Sequence, residues 1–368
     1  MKLIDDKYKK LGPSIKLLGD EVIIAQAWKK THAYMRLRNW YADTLALDIS
    51  ALGLESAAKL WASQLLGTSP LNLEPMELVP APKSEPWIID TNQGWIPRAF
   101  IDGRKDQRNQ KPPIRPLSHM TVRDQTLASA VMLCVADAVE SCQGDCSYKN
   151  DSDFFTHQSK GVYSYGNRLI CDWNKGSAWF HWGNADIYRK FFTDYQSFLK
   201  RPTVIGRSVA GGQADSEVVF IISLDIARFY DCIDRTVLHE RLRKLFRGQP
   251  TGEQDIFWSR AREIFAWRWS MEADAIASTI GINLGNGLPQ GLVSAGFFAN
   301  VYLLDFDKAV GKEIESSIGK KTSFTLHDYC RYVDDLRLVV TVEDTVDLSD
   351  LQREILEWIT PILKLKGR

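Results

Sequence analysis

Three aspartates are the residues of this chain whose type and spacing best suit chemistry. Asp225 ends an apolar, β-prone run over 218–224, and Asp334 and Asp335 form an adjacent pair within Y-V-D-D. If the strand and the pair lie side by side, three carboxylates meet and repel one another, so a hard divalent cation has to neutralise them. Two Mg²⁺ ions about 3.5–4 Å apart can hold both the attacking and the leaving oxygen of a phosphoryl transfer. Taken alone, the pattern predicts either nucleotidyl-transfer chemistry or an ordinary turn whose adjacent aspartates are solvated.

The elements that must position these aspartates follow from the hydrophobic pattern. The segment 331–342 alternates around the acidic pair and predicts a β-hairpin with both aspartates at its tip, and 218–224 predicts a buried strand beside it. Loops and short strands are predicted over 67–116. Helices are predicted over 21–66, 122–141, 184–199, 234–246, 292–310 and 348–365, with Pro361 kinking or ending the last one. This order of elements indicates an α+β fold.

Composition narrows the possible classes of protein. The chain has 368 residues and carries 46 Lys plus Arg against 46 Asp plus Glu, which argues against a broadly basic nucleic-acid coat but not against a channel with local basic patches. No apolar run is long enough for a membrane span, and the charged start lacks a signal peptide, so a cytoplasmic protein is expected. The six cysteines and six histidines lack the spacing of a zinc site, so scattered thiols are expected.

Three segments together carry a family resemblance. They are L-D-I-A-R-F-Y-D-C-I-D at 224–234, G-L-P-Q-G at 287–291 and Y-V-D-D at 332–335. In this order and spacing they resemble the A, B and C motifs of reverse transcriptases. I-R-P-L at 114–117, V-R-D-Q at 122–125 and P-K-S at 82–84 resemble the fingers of the bacterial enzymes. S-Y-G-N-R-L at 164–169 resembles a variant found in the unknown-group and defence-associated bacterial reverse transcriptases.

The resemblance implies a right-hand polymerase architecture. Residues 81–215 would form the fingers, and 216–368 would form the palm, with an antiparallel sheet backed by helices. Residues 1–80 would be an N-terminal helical segment. No thumb is expected within this chain, because only one helix follows the Y-V-D-D hairpin. Either the chain is part of a longer polypeptide, or the product duplex is held by the N-terminal segment, a second copy, a partner protein or a bound RNA.

The resemblance also assigns the catalytic residues and their cofactor. Asp225 and Asp334 match metal ligands, and Asp335 matches a neighbour that the family requires for catalysis. The backbone carbonyl of Ile226 is expected to face the same metal. Two Mg²⁺ ions are implied, with Mn²⁺ as a substitute. The aspartates would neutralise and position charge rather than transfer protons.

Nucleotide-binding residues are implied by the same matches. Tyr230 occupies the sugar-gate position, where an aromatic ring leaves no room for a ribose 2′-hydroxyl, and Phe229 lies beside it. The alternative is that both rings are core aromatics. Gln290 matches a residue that packs near the incoming sugar and base. Arg115 matches the fingers arginine that grips the triphosphate, a role suited to its bidentate fork.

A second cation is expected near Arg115, and Lys111 is its nearest candidate. Between residues 97 and 123 seven Lys or Arg residues stand against two Asp, which predicts either a phosphate-facing surface or a solvated loop. The competing candidates for the second cation are Arg104, Lys105 and Arg108. The long insert between Lys83 and Arg115 departs from the simple family pattern.

Several further matches are given structural or open roles. Caps or salt bridges are expected for three acids: Asp124, Asp231 and Asp234. Tyr165, Asn167 and Arg168 are expected either to contact the template or nucleotide, or to fix the joint between fingers and palm.

The function implied is RNA-directed DNA synthesis in bacterial antiviral defence. The partners would be deoxynucleotides, a DNA product and an RNA template, for which a dedicated noncoding RNA is one source. One alternative is template-independent synthesis at the same site, with a protein hydroxyl as one possible primer. Another is an inactive assembly module that keeps the fold. A retron or group II intron enzyme fits less well, because no maturase region is found and the Y-G-N-R phrase differs.

Overall fold

A computed structural model describes residues 6–39, 41–82, 87–91, 94–97, 114–212, 216–246 and 252–363. These ranges hold thirteen α-helices and several small antiparallel sheets, so the fold is α+β as the sequence predicts. None of the helices in these ranges combines the length and the apolar character that crossing a membrane requires.

The helices are bounded as follows: α1 Ile15–Leu18, α2 Glu21–Arg38, α3 Thr44–Leu52, α4 Leu54–Leu66, α5 Val122–Gln143, α6 Ser152–Ser159, α7 Phe191–Ala210, α8 Phe229–Cys232, α9 Arg235–Leu245, α10 Gly252–Ile264, α11 Met271–Ile280, α12 Ala295–Gly311 and α13 Leu348–Leu363. The strands are β1 Glu77–Pro82, β2 Trp87–Asp90, β3 Gly94–Pro97, β4 Ile114–His119, β5 Cys171–Asn174, β6 Ser177–Phe180, β7 Glu217–Asp225, β8 Ser316–Ile318, β9 Phe324–Tyr332 and β10 Asp335–Glu343.

The N-terminal helices begin where short acidic side chains cap them. The Asp20 carboxylate accepts a hydrogen bond from the Val22 amide at 2.8 Å, and Asp43 accepts one from Ala46 at 2.9 Å. Such caps satisfy amides that have no partner within the helix. Helix α2 then buries an apolar face against α5, so the predicted helical region over 21–66 is confirmed as three separate helices.

One predicted helix begins at the wrong residue. The pattern predicts a helix over 184–199, but α7 starts at Phe191 and continues to Ala210, with Pro202 inside it. The residues before it are extended, because the Ile170 amide donates to Ile187 and the Arg189 amide donates to Arg168. Backbone pairing with a distant segment thus overrides the local helical pattern.

A four-stranded antiparallel sheet runs in the order β7-β10-β9-β8. Helix α7 contacts β7, β9 and β10, and α12 contacts β9. Strand β7 was predicted to be buried, and that prediction is wrong: Ile221 at its centre is 46% exposed. The reason is that β7 forms an edge of the sheet, where part of an apolar strand can remain open to solvent.

Buried ion pairs connect this sheet to the helices that cover it. Arg331 on β9 pairs with Asp307 on α12 at 2.7 Å, and Arg201 on α7 pairs with Asp328 on β9 at 2.6 Å. All four side chains are buried, so loss of one partner would leave an uncompensated charge in the core. These pairs fix how the helices sit on the strands that lead to the predicted site.

Three two-stranded sheets complete the fold: β1 with β4, β2 with β3, and β5 with β6. The pairing of β1 with β4 places Ala81 opposite Arg115. Strand β4 also contacts the loop before α12, because the Ser118 amide donates to the Gln290 carbonyl at 2.8 Å.

Candidate active site

Two strands bring the three aspartates together. Strands β7 and β10 pair so that Asp225 lies directly opposite Asp335, and the Ile226 amide donates to the Asp334 carbonyl at 3.1 Å. The β9–β10 hairpin turns through Val333 and Asp334, so the predicted hairpin with the acidic pair at its tip is confirmed. The three positions are far apart in the chain and adjacent in the fold.

The hairpin tip is held in an unusual backbone conformation. Val333 has a φ of +57°, which is costly for a β-branched residue and needs surrounding support. That support comes from the Y-G-N-R segment: the Tyr165 amide donates to the Arg331 carbonyl at 2.9 Å. Gly166 packs directly on the tip, where a Cβ would lie 2.7 Å from the Val333 nitrogen. The segment therefore braces the turn that presents Asp334.

Charge accumulates at this point. Burial raises the pKa of Asp334 to about 6, with the negative charges of Asp225 and Asp335 adding to the rise and Arg115 opposing it. Burial also raises the pKa of Asp335, with Arg337 opposing and Asp225 adding. Within the described part of the chain, no three His, Cys, Asp or Glu side chains form a ready-made ligand set.

A cavity of about 1010 Å³ opens at the aspartate pair. Arg115, Tyr230 and Gln290 line it together with Asp334 and Asp335. The cavity therefore joins a cation from β4, a ring from α8 and an amide from the loop before α12. These three predicted nucleotide-binding residues come from three different segments.

Tyr230 is positioned by the G-L-P-Q-G loop. The Leu288 amide donates to the Tyr230 carbonyl at 2.9 Å. Gly287 lies so close that a Cβ on it would come within 2.0 Å of the same carbonyl oxygen, so a side chain there has no space. The Tyr230 hydroxyl hydrogen-bonds Asn167, and burial and the nearby Asp334 charge raise the pKa of Tyr230, so its hydroxyl stays protonated at neutral pH.

Gln125 fixes the other end of the same loop. Its side-chain amide donates to the Gly291 carbonyl at 2.8 Å, and its side-chain oxygen accepts from the Val293 amide at 2.8 Å. The side-chain amide of Gln290, the residue before Gly291, donates to the Asp231 carboxylate at 3.3 Å. The side chains of Gln125 and Asp231 thus hold the loop without any ligand.

The other predicted site residues fall outside the cavity or outside the described residues. Phe229 is only 2% exposed, does not line the cavity and packs in the core, which is the alternative that the sequence left open. Lys111 and its competitors Arg104, Lys105 and Arg108 lie outside the described residues.

The three acids expected to be structural have structural contacts. Asp234 caps α9 through the amides of Thr236 and Val237. Asp231 pairs with Arg228 at 3.0 Å, and the buried Asp124 pairs with Arg123 at 2.8 Å. Their predicted role in capping and ion pairing is confirmed.

The Y-G-N-R segment divides between the two roles left open for it. Tyr165 and Arg168 are fully buried; Tyr165 contacts His157 at 2.8 Å, and Arg168 pairs with Glu140 at 2.8 Å. Both residues therefore fix neighbouring elements. Asn167, in contrast, lines the cavity.

The end of helix α2 contributes lining residues that the sequence gave no reason to expect. Tyr34, Arg38, Asn39 and Tyr41 all line the cavity, and the Asn39 side chain donates to the Gly291 carbonyl at 3.3 Å. The only local signal is a cluster of polar and aromatic residues where a helix ends, which is common on helices of every kind. Long-range packing decided that this cluster meets the aspartates.

Comparison with protein families and curated proteins finds no match. What the site can do has to be inferred from its own residues.

Proposed function

We propose that this chain is a nucleotidyltransferase of the reverse-transcriptase kind, which adds deoxynucleotides to a primer 3′-hydroxyl on an RNA template. The single observation that carries the proposal is the register that sets Asp225 opposite Asp335, with Asp334 at the adjoining turn. The three-motif resemblance assigns metal binding to the same three residues. The sequence motifs and the strand pairing point to the same three residues.

The wider architecture supports the same reading. A four-stranded antiparallel sheet with α7 and α12 against it suits a palm, and the β1–β4 pair carrying Arg115 suits fingers that close over the palm. The N-terminal helices would then form one wall of the catalytic cavity. We extend the proposal to the bacterial unknown-group and defence-associated enzymes on the strength of S-Y-G-N-R-L at 164–169.

The residues present fit a pair of divalent cations. Their donors would be three carboxylates in neighbouring backbone positions, and burial, with the charges of Asp225 and Asp335 adding to it, raises the pKa of Asp334. Asp225, Asp334 and Asp335 would hold Mg²⁺, together with the Ile226 backbone. When bound, Mg²⁺ would activate the attacking oxygen and neutralise charge on the phosphoryl group and the leaving pyrophosphate.

The remaining residues of the cavity would bind and orient the nucleotide. Arg115 would contact the triphosphate, since a guanidinium can donate two parallel hydrogen bonds to phosphate oxygens. Tyr230 would exclude a 2′-hydroxyl by its bulk, its backbone carbonyl is held by the Leu288 amide, and its hydroxyl contacts Asn167. Gln290 would pack against the incoming sugar and base from the opposite loop.

The direct test is incorporation of labelled deoxynucleotides on RNA and DNA primer–templates in Mg²⁺ or Mn²⁺. The Asp225→Asn and Asp334→Asn variants are each expected to lose activity by more than about 100-fold, because each removes a charged ligand. Glu343→Gln is the matched control, since it removes a carboxylate at the opposite end of β10. No incorporation by the wild-type protein on any substrate would contradict the proposal.

Analysis of the product separates the related activities. A product complementary to the supplied RNA supports templated synthesis. A low-complexity product whose size shifts after protease treatment would instead indicate untemplated, protein-linked synthesis. Normal biological function of an Asp334→Ala plus Asp335→Ala variant would point to an inactive assembly module.

A further inference from the structure

A second cleft continues outward from the catalytic cavity. It has a volume of about 240 Å³ and lies between the end of α2 and the start of α7. The two spaces share six lining residues: Tyr34, Arg38, Asn167, Tyr188, Phe191 and Tyr332. A ligand in the outer cleft would therefore touch the same side chains that border the aspartate site.

Aromatic rings form one wall where the spaces meet. Phe191 stacks on Tyr195 with ring centroids 5.4 Å apart and planes at 11°, and it meets Tyr332 edge-on at 5.5 Å. Tyr332 is also edge-on to Tyr195 at 5.2 Å. The Phe191 ring is thus held by two others, and one of them belongs to the Y-V-D-D motif itself.

This wall is open to solvent. Phe191 is 57% exposed and its neighbour Phe192 is 68% exposed. One exposed apolar side chain is ordinary, but two adjacent exposed phenylalanines keep a large apolar area in water, and Phe191 of the two lines the cleft. Exposed rings fixed in place are the usual platform for unpaired bases, because every base offers a flat face for stacking.

The floor of the cleft is also fixed in advance. Tyr188 donates its hydroxyl hydrogen to the Val293 carbonyl at 2.8 Å, and its ring meets Tyr34 of α2 at 5.7 Å in an edge-on arrangement. These contacts connect the cleft to the loop that carries Gln290. The rings therefore need no rearrangement before a strand can lie on them.

The positive and negative side chains that line the cleft nearly balance one another. Arg189 is neutralised by Asp194 at 3.0 Å, and Asp186 adds a negative charge at the edge. Arg38 is exposed and has no ion pair within the described ranges, whereas Arg36 on the same helix pairs with Asp48. Arg38 is thus placed to meet one phosphate, while most of the affinity must come from stacking.

We propose that this cleft binds an unpaired stretch of nucleic acid strand on its way into the catalytic cavity. A base stacks on Phe191, and the adjoining phosphate contacts Arg38. The inference rests on the proposed polymerase function, which supplies the reason for a strand to enter there. An unpaired strand is favoured over a duplex because bases inside a duplex hide the faces that an aromatic platform needs.

The test is binding of fluorescein-labelled 12-nucleotide homopolymers, one RNA and one DNA, in EDTA without nucleotides. Fluorescence anisotropy would follow the wild-type protein and five variants. Phe191→Ala is expected to weaken binding about tenfold, because loss of one stacked base costs about 1–3 kcal/mol. Phe191→Trp keeps a stacking surface and is expected to bind as the wild type does.

Salt dependence separates the two contacts. Arg38→Ala is expected to weaken binding and to lower the slope of log K against log salt by about one unit, since one phosphate contact is lost. Phe191→Ala is expected to leave that slope unchanged. The controls are Phe155→Ala, which removes a ring that is 40% exposed on α6 outside both clefts, and Arg36→Ala, which removes the paired cation.

The outcomes also separate this inference from the polymerase proposal. If Phe191→Ala and Arg38→Ala bind both homopolymers as tightly as Phe155→Ala and Arg36→Ala, the cleft inference is wrong, even if the wild type polymerises. If the two cleft variants lose binding while the wild type incorporates no nucleotide, the cleft stands and the polymerase proposal fails. The homopolymer whose affinity falls more in Phe191→Ala shows whether the bound strand is RNA or DNA.

Discussion

At the scale of single residues, the role of a side chain in the cavity depends on the neighbours that position it. Tyr230 illustrates this: an aromatic residue at its position is a sequence property, but the Leu288 amide holds its backbone carbonyl and Asn167 contacts its hydroxyl. Its distance along the chain from Asp334 is large, yet the Asp334 charge is close enough to raise the pKa of its hydroxyl. The ring therefore stands beside Asp334 as a neutral steric element.

Replacing that ring tests its role in choosing the sugar. In Tyr230→Ala, discrimination between deoxynucleotides and ribonucleotides is expected to fall by about tenfold or more, because a contact of this kind contributes roughly 1–3 kcal/mol. Tyr230→Phe keeps the bulk and is expected to discriminate as the wild type does. The measurement is kcat/KM for a matched deoxynucleotide and ribonucleotide pair. Equal discrimination by all three proteins would contradict the steric role.

At the scale of elements, close backbone contacts join loops that are remote in sequence. The G-L-P-Q-G loop touches α8 through Gly287 and is held to α5 by Gln125. Helix α6 is connected to the Y-G-N-R segment by the contact of His157 with Tyr165. The first connection places a loop, so its loss should affect the site more than the fold, whereas the second lies in the buried core, so its loss should affect stability.

Gly287→Ala tests the first of these connections. A Cβ at 2.0 Å from the Tyr230 carbonyl oxygen must displace either the loop or α8, so nucleotide incorporation is expected to fall by about 10–100-fold. Gly183→Ala is the matched control, because its Cβ meets nothing within 4 Å. Circular dichroism would establish that both variants are folded. Wild-type activity of Gly287→Ala would show that the contact is dispensable.

The second connection predicts a dependence of stability on pH. Burial, reinforced by Arg201, lowers the pKa of His157 from 6.5 to about 4, while the Ser147 carbonyl and the charges of Asp153 and Asp145 act in the opposite direction. The unfolded chain therefore takes up a proton near pH 6.5, which the folded chain resists until about pH 4. Stability is full above pH 6.5 and falls as the pH drops, with a slope approaching about 1.4 kcal/mol per pH unit.

His157→Gln is expected to remove that contribution to the slope. The free energy of unfolding would be measured with urea between pH 7.5 and 5, and the variant compared with the wild type. His32→Gln is a suitable comparison, because burial also lowers the pKa of His32, which is less buried than His157. Identical slopes for the wild type and His157→Gln would contradict the prediction.

At the scale of the whole molecule, the N-terminal helices and the strand-rich region share a hydrophobic core. One cluster of buried side chains extends from Leu11 to Ile359. Arg260 on α10 strengthens this union, since its buried guanidinium donates to the Leu65 carbonyl at 3.0 Å and to Ser69 at 2.9 Å, and it also contacts Gly67. Because α2 lines the catalytic cavity, anchoring the N-terminal helices also shapes the site.

Arg260→Met tests the anchor. It is expected to lower the free energy of unfolding by about 3 kcal/mol, because the buried Leu65 carbonyl and two part-buried carbonyls lose their donor. Arg262→Met, two residues further along the same helix, changes an exposed arginine and is expected to stay within about 0.5 kcal/mol of the wild type. Urea unfolding followed by tryptophan fluorescence would measure both. Equal stabilities would show that α10 does not hold the N-terminal helices.

The sequence by itself determined the types of the elements and the identity of the acidic residues. Alternation around Asp334 and Asp335 was enough to predict the hairpin, and periodicity was enough to locate most of the helices, because both depend on local spacing. The same local patterns predicted the wrong first residue for α7 and predicted that β7 is buried, although part of it is exposed. In both cases the deciding interaction came from a distant segment or from the edge of the sheet.

Only the tertiary structure decided which residues surround the aspartates. Arg38 and Tyr34 lie about 300 residues before the Y-V-D-D motif, and nothing in their spacing indicates that they share its cavity. Phe191 behaves likewise, since its exposure and its stacking on Tyr195 depend on how α7 packs beside the hairpin. Contacts between remote segments are set by packing of the whole chain, and local sequence patterns carry no record of them.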